Sequence, residues 1–342
     1  MIPVATASRQ SSLSRHADGW QQALRDALRD PFELLARLDL TDSALAAQVL
    51  TDPTFRVLVP LPFLARMQKG DPNDPLLRQV LATRAEQTET VGYVADPLQE
   101  ADFSPVPGLL RKYQGRALLI ATSVCAVHCR YCFRREFPYA EHRIDGASGE
   151  LIIDALQRDP DVHEIILSGG DPLMLKDASL GTLIERLATV PHLRTLRIHT
   201  RLPIVIPARV TPALARILRA TRLRSVVVLH ANHPAEIDAE VRVAAARLSQ
   251  AGSTLLNQSV LLAGVNDDAT TLAQLSERLF SAGVLPYYLH LLDPVHGTAH
   301  FDVTEARGRY LIDALRSKLP GYLVPRLVRE TPGASAKQVK AS

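Results

Sequence analysis

Ala117-Leu-Leu-Ile-Ala-Thr-Ser-Val-Cys125-Ala-Val-His-Cys129-Arg-Tyr-Cys132 joins a short apolar run to a loop holding all three cysteines of this 342-residue chain. The run Ala117–Ala121 has strand character, and the thiols follow it at CxxxCxxC spacing. Three thiolates are one short of the set that closes a structural zinc site or fully ligates an iron–sulfur cluster. A 4Fe–4S cluster held by three would keep one iron free for a substrate or cofactor. The alternative is a group of buried, unreactive cysteines, since free Cys often packs as a small hydrophobe. Chance would scatter such residues along the chain. His128, Arg130, Arg134 and Arg135 also make the segment polar and cationic, a poor core and a good setting for thiolates.

Working outward, runs with strand character recur at Glu164–Leu167, Thr195–His199, Ser225–His230, Thr254–Leu262 and Leu285–Leu292. Between them lie stretches of helical spacing: Leu180–Leu187, Pro212–Leu218, Ile237–Leu248, Leu272–Phe280 and Glu305–Leu315. A last run, Tyr322–Val328, reads as a seventh strand. Strand-then-helix repetition predicts a parallel α/β architecture with right-handed crossovers. That pattern serves an open sheet and a barrel alike. The polar residues add a direction. Cys125, Ser168-Gly169-Gly170-Asp171, Thr200-Arg201, His230, Asn257-Gln258 and Asp293 all fall at or just past strand ends. In parallel α/β barrels functional groups gather at the carboxyl ends of the strands. Gly169-Gly170 alone reads as a tight turn and His230 alone as a core histidine, but six ends pointing one way outweigh those readings.

Composition narrows the class. The chain is 46% hydrophobic, enough for a sizeable core, and its formal charge of +3 is only mildly basic. Without a Lys/Arg run interleaved with aromatics, a nucleic-acid surface is not indicated. The start, Met1-Ile-Pro-Val-Ala, lacks the continuous apolar core of a signal peptide, and no apolar run approaches the roughly 18 residues that span a bilayer. Three closely spaced cysteines are no disulfide framework, so a reducing cytoplasm is expected. Residues 1–105 read as a helical accessory region, with helical spacing over Gln21–Leu38 broken by Pro31, a short helix at Ser43–Val49 and another around Leu76–Arg84.

The cysteine motif, Gly-Gly-Asp-Pro after the next strand, and the βα repeat resemble the radical S-adenosylmethionine superfamily. The flanks Arg111-Lys112-Tyr113-Gln114-Gly115-Arg116, Cys132-Phe133-Arg134-Arg135-Glu136-Phe137 and Pro286-Tyr287-Tyr288-Leu289-His290 are similar to those of the lysine 2,3-aminomutases. Gly321-Tyr322-Leu323-Val324-Pro325 and the short carboxyl end resemble the branch associated with elongation factor P. The resemblance covers roughly residues 100–340. It implies a partial β/α barrel of six or so units over 106–320, and a C-terminal segment, 321–342, carrying the pyridoxal phosphate lysine.

In that family three cysteines hold a 4Fe–4S cluster whose fourth iron takes S-adenosylmethionine, and pyridoxal phosphate carries the amino acid. The resemblance therefore assigns Cys125, Cys129 and Cys132 to the cluster, and Gly169, Gly170, Asp171, His230 and Gln258 to S-adenosylmethionine. A glycine pair lets the backbone approach a ligand closely. Of six lysines, Lys337 matches the position that binds pyridoxal phosphate, seven residues past Glu330; Lys340 competes, because Gly333-Ala-Ser-Ala336 stands where relatives often have glycines. Lys112, Tyr113 and Arg116 match the phosphate-binding region. Arg134 offers a fork for the substrate α-carboxylate, and Asp293 and Glu330 match two acids placed around the ε-ammonium. Two carboxylates in a closed pocket favour a cation between them, hence lysine over glutamate. The carboxyl-terminal cysteines that hold structural zinc in larger relatives are missing, so no zinc is expected.

The expected activity is that of an isomerase, L-lysine 2,3-aminomutase, making β-lysine. The resemblance further implies an electron donor such as flavodoxin or ferredoxin, and a functional link to a β-lysine ligase and elongation factor P. The alternatives are an aminomutase acting on another amino acid, and a non-catalytic iron–sulfur redox protein. Simple electron transfer usually employs four protein ligands, which argues against the last.

Overall fold

The computed structural model describes residues 19–51, 56–137 and 146–342. The strands are β1 (Leu109–Tyr113), β2 (Arg116–Thr122), β3 (Glu164–Gly169), β4 (Thr195–Thr200), β5 (Arg224–His230), β6 (Thr254–Val260), β7 (Leu285–His290), β8 (Arg326–Arg329) and β9 (Gln338–Ala341). They form one sheet in strictly sequential order. Seven strands, β2 to β8, run parallel, and β1 and β9 cap the two ends antiparallel. Helices α1 (Pro31–Arg37), α2 (Gly146–Arg158), α3 (Asp177–Ala188), α4 (Pro212–Ala220), α5 (Ala239–Gln250), α6 (Ala269–Ser281) and α7 (Glu305–Arg316) include one crossover for each step from β2 to β8. Sequential parallel order with one crossover hand keeps the helices on one face and curls the sheet toward a barrel. Among the described residues the ladder is open between β1 and β9. The expected partial barrel is the fold found.

Local chemistry sets these elements. Thr211, Asp238, Asp268 and Thr304 each stand just before a helix and accept a backbone N–H of its first turn, at 2.9–3.2 Å. Gly308 lets α7 close on β8, since a Cβ there would lie 2.9 Å from Leu327 Cδ2. In β4 Leu196, Ile198 and Thr200 are buried on one side while Arg197 and His199 turn to an interior cavity. Period-two alternation thus sends one side chain set to the helices and the other to the mouth.

The described strands and helices fall close to their expected spans, with four differences. Tyr322–Val328 becomes a 3₁₀ turn at Gly321–Leu323 followed by β8. Strand β1, helix α2 and strand β9 carried no expectation. Ser43–Val49 contracts to one 3₁₀ turn, Ala46–Gln48, and Leu76–Arg84 to two, Leu77–Gln79 and Arg84–Gln87. The Leu76–Arg84 stretch breaks because the carbonyls of Arg78 and Gln79 accept from Arg130 and so do not accept the amides a longer helix would bring to them.

Candidate active site

The cysteine loop leaves β2 and is clamped from two sides. From the N-terminal region, Leu58 O accepts His128 N at 3.2 Å, Arg56 O meets His128 Nδ1 at 2.7 Å, and Gln79 O accepts Arg130 N at 2.9 Å. Glu86 receives Arg130 on one oxygen and Arg135 on the other, both at 2.6 Å. From the barrel, Gly170 N donates to Thr122 O at 2.7 Å and Asp171 N to Val124 O at 2.8 Å. Gly169 has φ 113°, and a Cβ there would lie 2.5 Å from Thr122 O; at Gly170 it would lie 2.4 Å from Val124 O. The glycine pair therefore seats the cysteine loop against β3, and both glycines also line the cavity. The three thiols line one end of a cavity of about 250 Å³. Burial, and then the neighbouring thiols, push Cys125 well up and Cys132 up to about 11. A cationic group beside Cys125 and Cys132 would favour their ionisation. Among the described residues no three His, Cys, Asp or Glu groups converge on a single metal ion. A cluster offering a separate iron to each thiolate suits this set better than one ion.

At the other end of the same cavity lies an ion cluster. Glu330, just past β8, accepts Lys112 Nζ and Tyr113 OH on Oε1, each at 2.9 Å, and pairs with Lys337 through Oε2. Burial would push Glu330 up, but Lys337 and Lys112 together hold it far below the usual carboxylate range. Tyr113 is pushed well up by burial and by that carboxylate. Asp293 is pushed up to about 7, by burial first and Glu330 second, against the pull of Lys337 and Lys112. The turn through Gly333-Ala-Ser-Ala336 brings the chain back so that β9 pairs with β8, which places Lys337 in the cavity wall. Lys340 instead bonds Gln338 at 3.0 Å and faces Glu305 at 3.6 Å, away from that wall. Arg116 lines the cavity with its guanidinium 5.4 Å from the Tyr113 ring.

Between the two ends the expected residues behave differently from one another. Arg134 is buried and holds both oxygens of Glu100, at 2.6 and 2.9 Å, with Ser168 Oγ at 2.9 Å. Asp171 accepts from Thr200 Oγ1, Arg201 N, Leu202 N and Leu173 N, so its carboxylate works inside the fold. His230 stacks on Tyr131 and shares a 2.8 Å bond with its hydroxyl. Gln258 lines the cavity from β6.

Sequence reasoning missed Glu100, Arg197, His199 and His290, all cavity-lining, along with the role of Arg201. The Nε2 atoms of His199 and His290 are buried without a partner, and burial holds both rings far below the usual histidine range, hence neutral. Orphaned acceptors or donors beside a lysine and two further cations are what a polar, anionic cofactor would fill, so the residues fit pyridoxal phosphate. The one available signal was position: both histidines sit at or beside strand ends facing the mouth.

The 4Fe-4S single cluster domain family matches residues 114–196. L-lysine 2,3-aminomutase of Haemophilus influenzae is 45% identical over 97% of this chain and 98% of its own length. That of Escherichia coli is 48% identical over 94% of each chain. The Clostridium subterminale enzyme is 35% identical over 93% of this chain but 76% of its own. Among solved structures, a radical SAM methyltransferase from Sphaerobacter thermophilus aligns with 65% of this chain and 68% of its own, at 17% identity and a TM-score of 0.47. With identities of this size running nearly end to end, the chain belongs to the L-lysine 2,3-aminomutase family.

Proposed function

We propose that this chain is an L-lysine 2,3-aminomutase, a radical S-adenosylmethionine isomerase that moves the α-amino group of lysine to the β carbon. The observation that carries the reading is one cavity lined by three thiols and by a lysine amine paired with Glu330, with Asp293 in the same wall. When bound, a 4Fe–4S cluster with S-adenosylmethionine supplies a carbon radical, and pyridoxal phosphate supplies the group on which an amine can migrate.

The chain's own residues bind and orient. Cys125, Cys129 and Cys132 would hold the cluster; the nearby cavity wall at Gly169, Gly170, His230 and Gln258 would face S-adenosylmethionine, while Asp171 supports that wall from within. Lys337 would hold pyridoxal phosphate, with Lys112, Tyr113 and Arg116 on the phosphate. Such a phosphate competes with Glu330 for Lys112, which frees Glu330 to join Asp293 around the substrate ε-ammonium. Arg134 already grips one carboxylate, that of Glu100, so the substrate α-carboxylate reaches it by sharing Nη1 or displacing Glu100. The walls exclude water from a radical that would otherwise be quenched.

The match to the shorter relatives along almost their whole length, and the run Gly321–Pro325, favour the branch that provides β-lysine to a ligase acting on elongation factor P. A small one-electron donor such as flavodoxin or ferredoxin would reduce the cluster. The test is anaerobic incubation of labelled lysine with dithionite and S-adenosylmethionine. β-Lysine should form; conversion of arginine or glutamate in preference to lysine would overturn the substrate assignment. Borohydride reduction followed by peptide mapping should find pyridoxal phosphate on Lys337, and label on Lys340 or Lys112 would overturn that assignment.

A further inference from the structure

Arg201 follows β4 directly and is almost fully buried. Its backbone N–H is fixed by Asp171 Oδ2 at 2.8 Å. Its fork is fixed on the far side, where Nη2 donates to Gln79 Oε1 at 2.7 Å and to Glu236 Oε2 at 2.9 Å. The other arm, Nη1, donates to Cys129 Sγ and to the Tyr131 hydroxyl, each at 2.7 Å. Glu236 is itself held by the N–H groups of Asn232 and His233, so this counter-charge is as rigid as the guanidinium. Every part of the arrangement aims one N–H of a permanent cation at one sulfur of the cysteine loop.

We propose that Arg201 is a positioning residue for the iron–sulfur cluster, tuning its reduction potential through the hydrogen bond to Cys129 Sγ, with Glu236 as the opposing charge. A guanidinium stays protonated throughout the accessible pH range. An N–H donated to a ligating sulfur, and a positive charge beside it, both draw electron density from the cluster and favour its reduced form. Glu236 works in the other sense, because it neutralises part of that charge. The N-terminal region takes part as well: Gln79 supplies the neutral acceptor that orients the fork without cancelling its charge.

The inference rests on the cluster reading above, and iron content keeps the two apart. The experiment is anaerobic reconstitution of wild type, Arg201→Gln, Arg201→Lys and Glu236→Gln, with iron and sulfide analysis and a redox titration followed by electron paramagnetic resonance. Wild type that takes up no iron would overturn the cluster reading itself. With iron present, Arg201→Gln should lower the reduced-to-oxidised ratio at fixed potential about tenfold, a midpoint some 59 mV more negative for one electron. Arg201→Lys should fall between, and Glu236→Gln should shift the midpoint the opposite way. Loaded Arg201→Gln with an unchanged midpoint would overturn the proposal. If Arg201→Gln does not load, the other two variants decide it: opposite shifts support the assignment, while equal, same-sign or absent shifts overturn it, because a merely structural role gives no reason for opposite signs.

Discussion

Asp293 is the side chain whose charge depends most on what enters the cavity. It sits near pH 7 because burial and Glu330 oppose its ionisation more than Lys337 and Lys112 favour it. A substrate ammonium between the two acids would reverse that balance. Asp293→Asn should therefore cut catalytic efficiency on lysine by one to two orders of magnitude, about 1.5–3 kcal/mol for a lost charge-assisted bond, while cluster content holds. Unchanged efficiency would mean that the ammonium is met by other groups. The same raised value fixes a sign for stability. The folded chain keeps the Asp293 proton more tightly than the unfolded one, so this contribution is full below the ordinary value of 3.8 and is lost as pH rises through about 7. Denaturation of ligand-free protein across that window should show wild type losing stability relative to Asp293→Asn. The cysteine loop stood out in the sequence by residue type and spacing, whereas Lys337, Asp293 and Glu330 were singled out through the family resemblance; the structure brings all of them to one cavity. Glu100 and Arg201 were not, since their meaning lies in partners such as Arg134 and Cys129, far along the chain and joined to them only by folding. Asp171 was legible as a polar residue at a strand end, but nothing in its neighbours announced four backbone and hydroxyl donors.

Among the elements, the β3 end and the cysteine loop behave as one piece. Gly170→Ala would put a Cβ 2.4 Å from Val124 O and 2.7 Å from Val124 N, so backbone must move. The expected result is a folded protein destabilised by about 1–3 kcal/mol of strain, seen as a lower melting temperature, and with iron content well below wild type. Full iron with an unchanged melting temperature would show that the loop yields without cost. Gly169-Gly170 was readable as a close-approach site; that the cysteine loop's own backbone is one of the groups approached was not, because Thr122 and Val124 lie more than forty residues away in the chain. The parallel strands were legible because each is an apolar run between turn signals. The short N-terminal helices were misread for the opposite reason: helical spacing in Leu76, Leu77, Val80 and Leu81 records burial in a shared core, and after one short turn the Arg78 and Gln79 carbonyls bond to Arg130 of a distant loop.

Across the whole molecule, accessory region and barrel share one hydrophobic core, in which Trp20, Leu34, Phe63 and Leu77 join a cluster with Leu167, Ile198 and Leu229. Glu86 is the polar counterpart of that union, buried between Arg130 and Arg135. Glu86→Ala leaves two buried guanidinium groups without their anion, a loss of about 3–5 kcal/mol in denaturant unfolding, with iron content falling in parallel. A loss under about 1 kcal/mol would mean that the region is only draped over the barrel. The open ladder carries a consequence of its own. Its first and last strands share no backbone bond, yet Lys112 from β1 and Lys337 at the start of β9 both hold Glu330. These ions thus also clasp the two edges of the ladder that is open among the described residues. On the proposed reading, a phosphate seated on Lys112 would compete for one side of that clasp, so that uptake of such a group and the tie between the two edges of the sheet would be coupled.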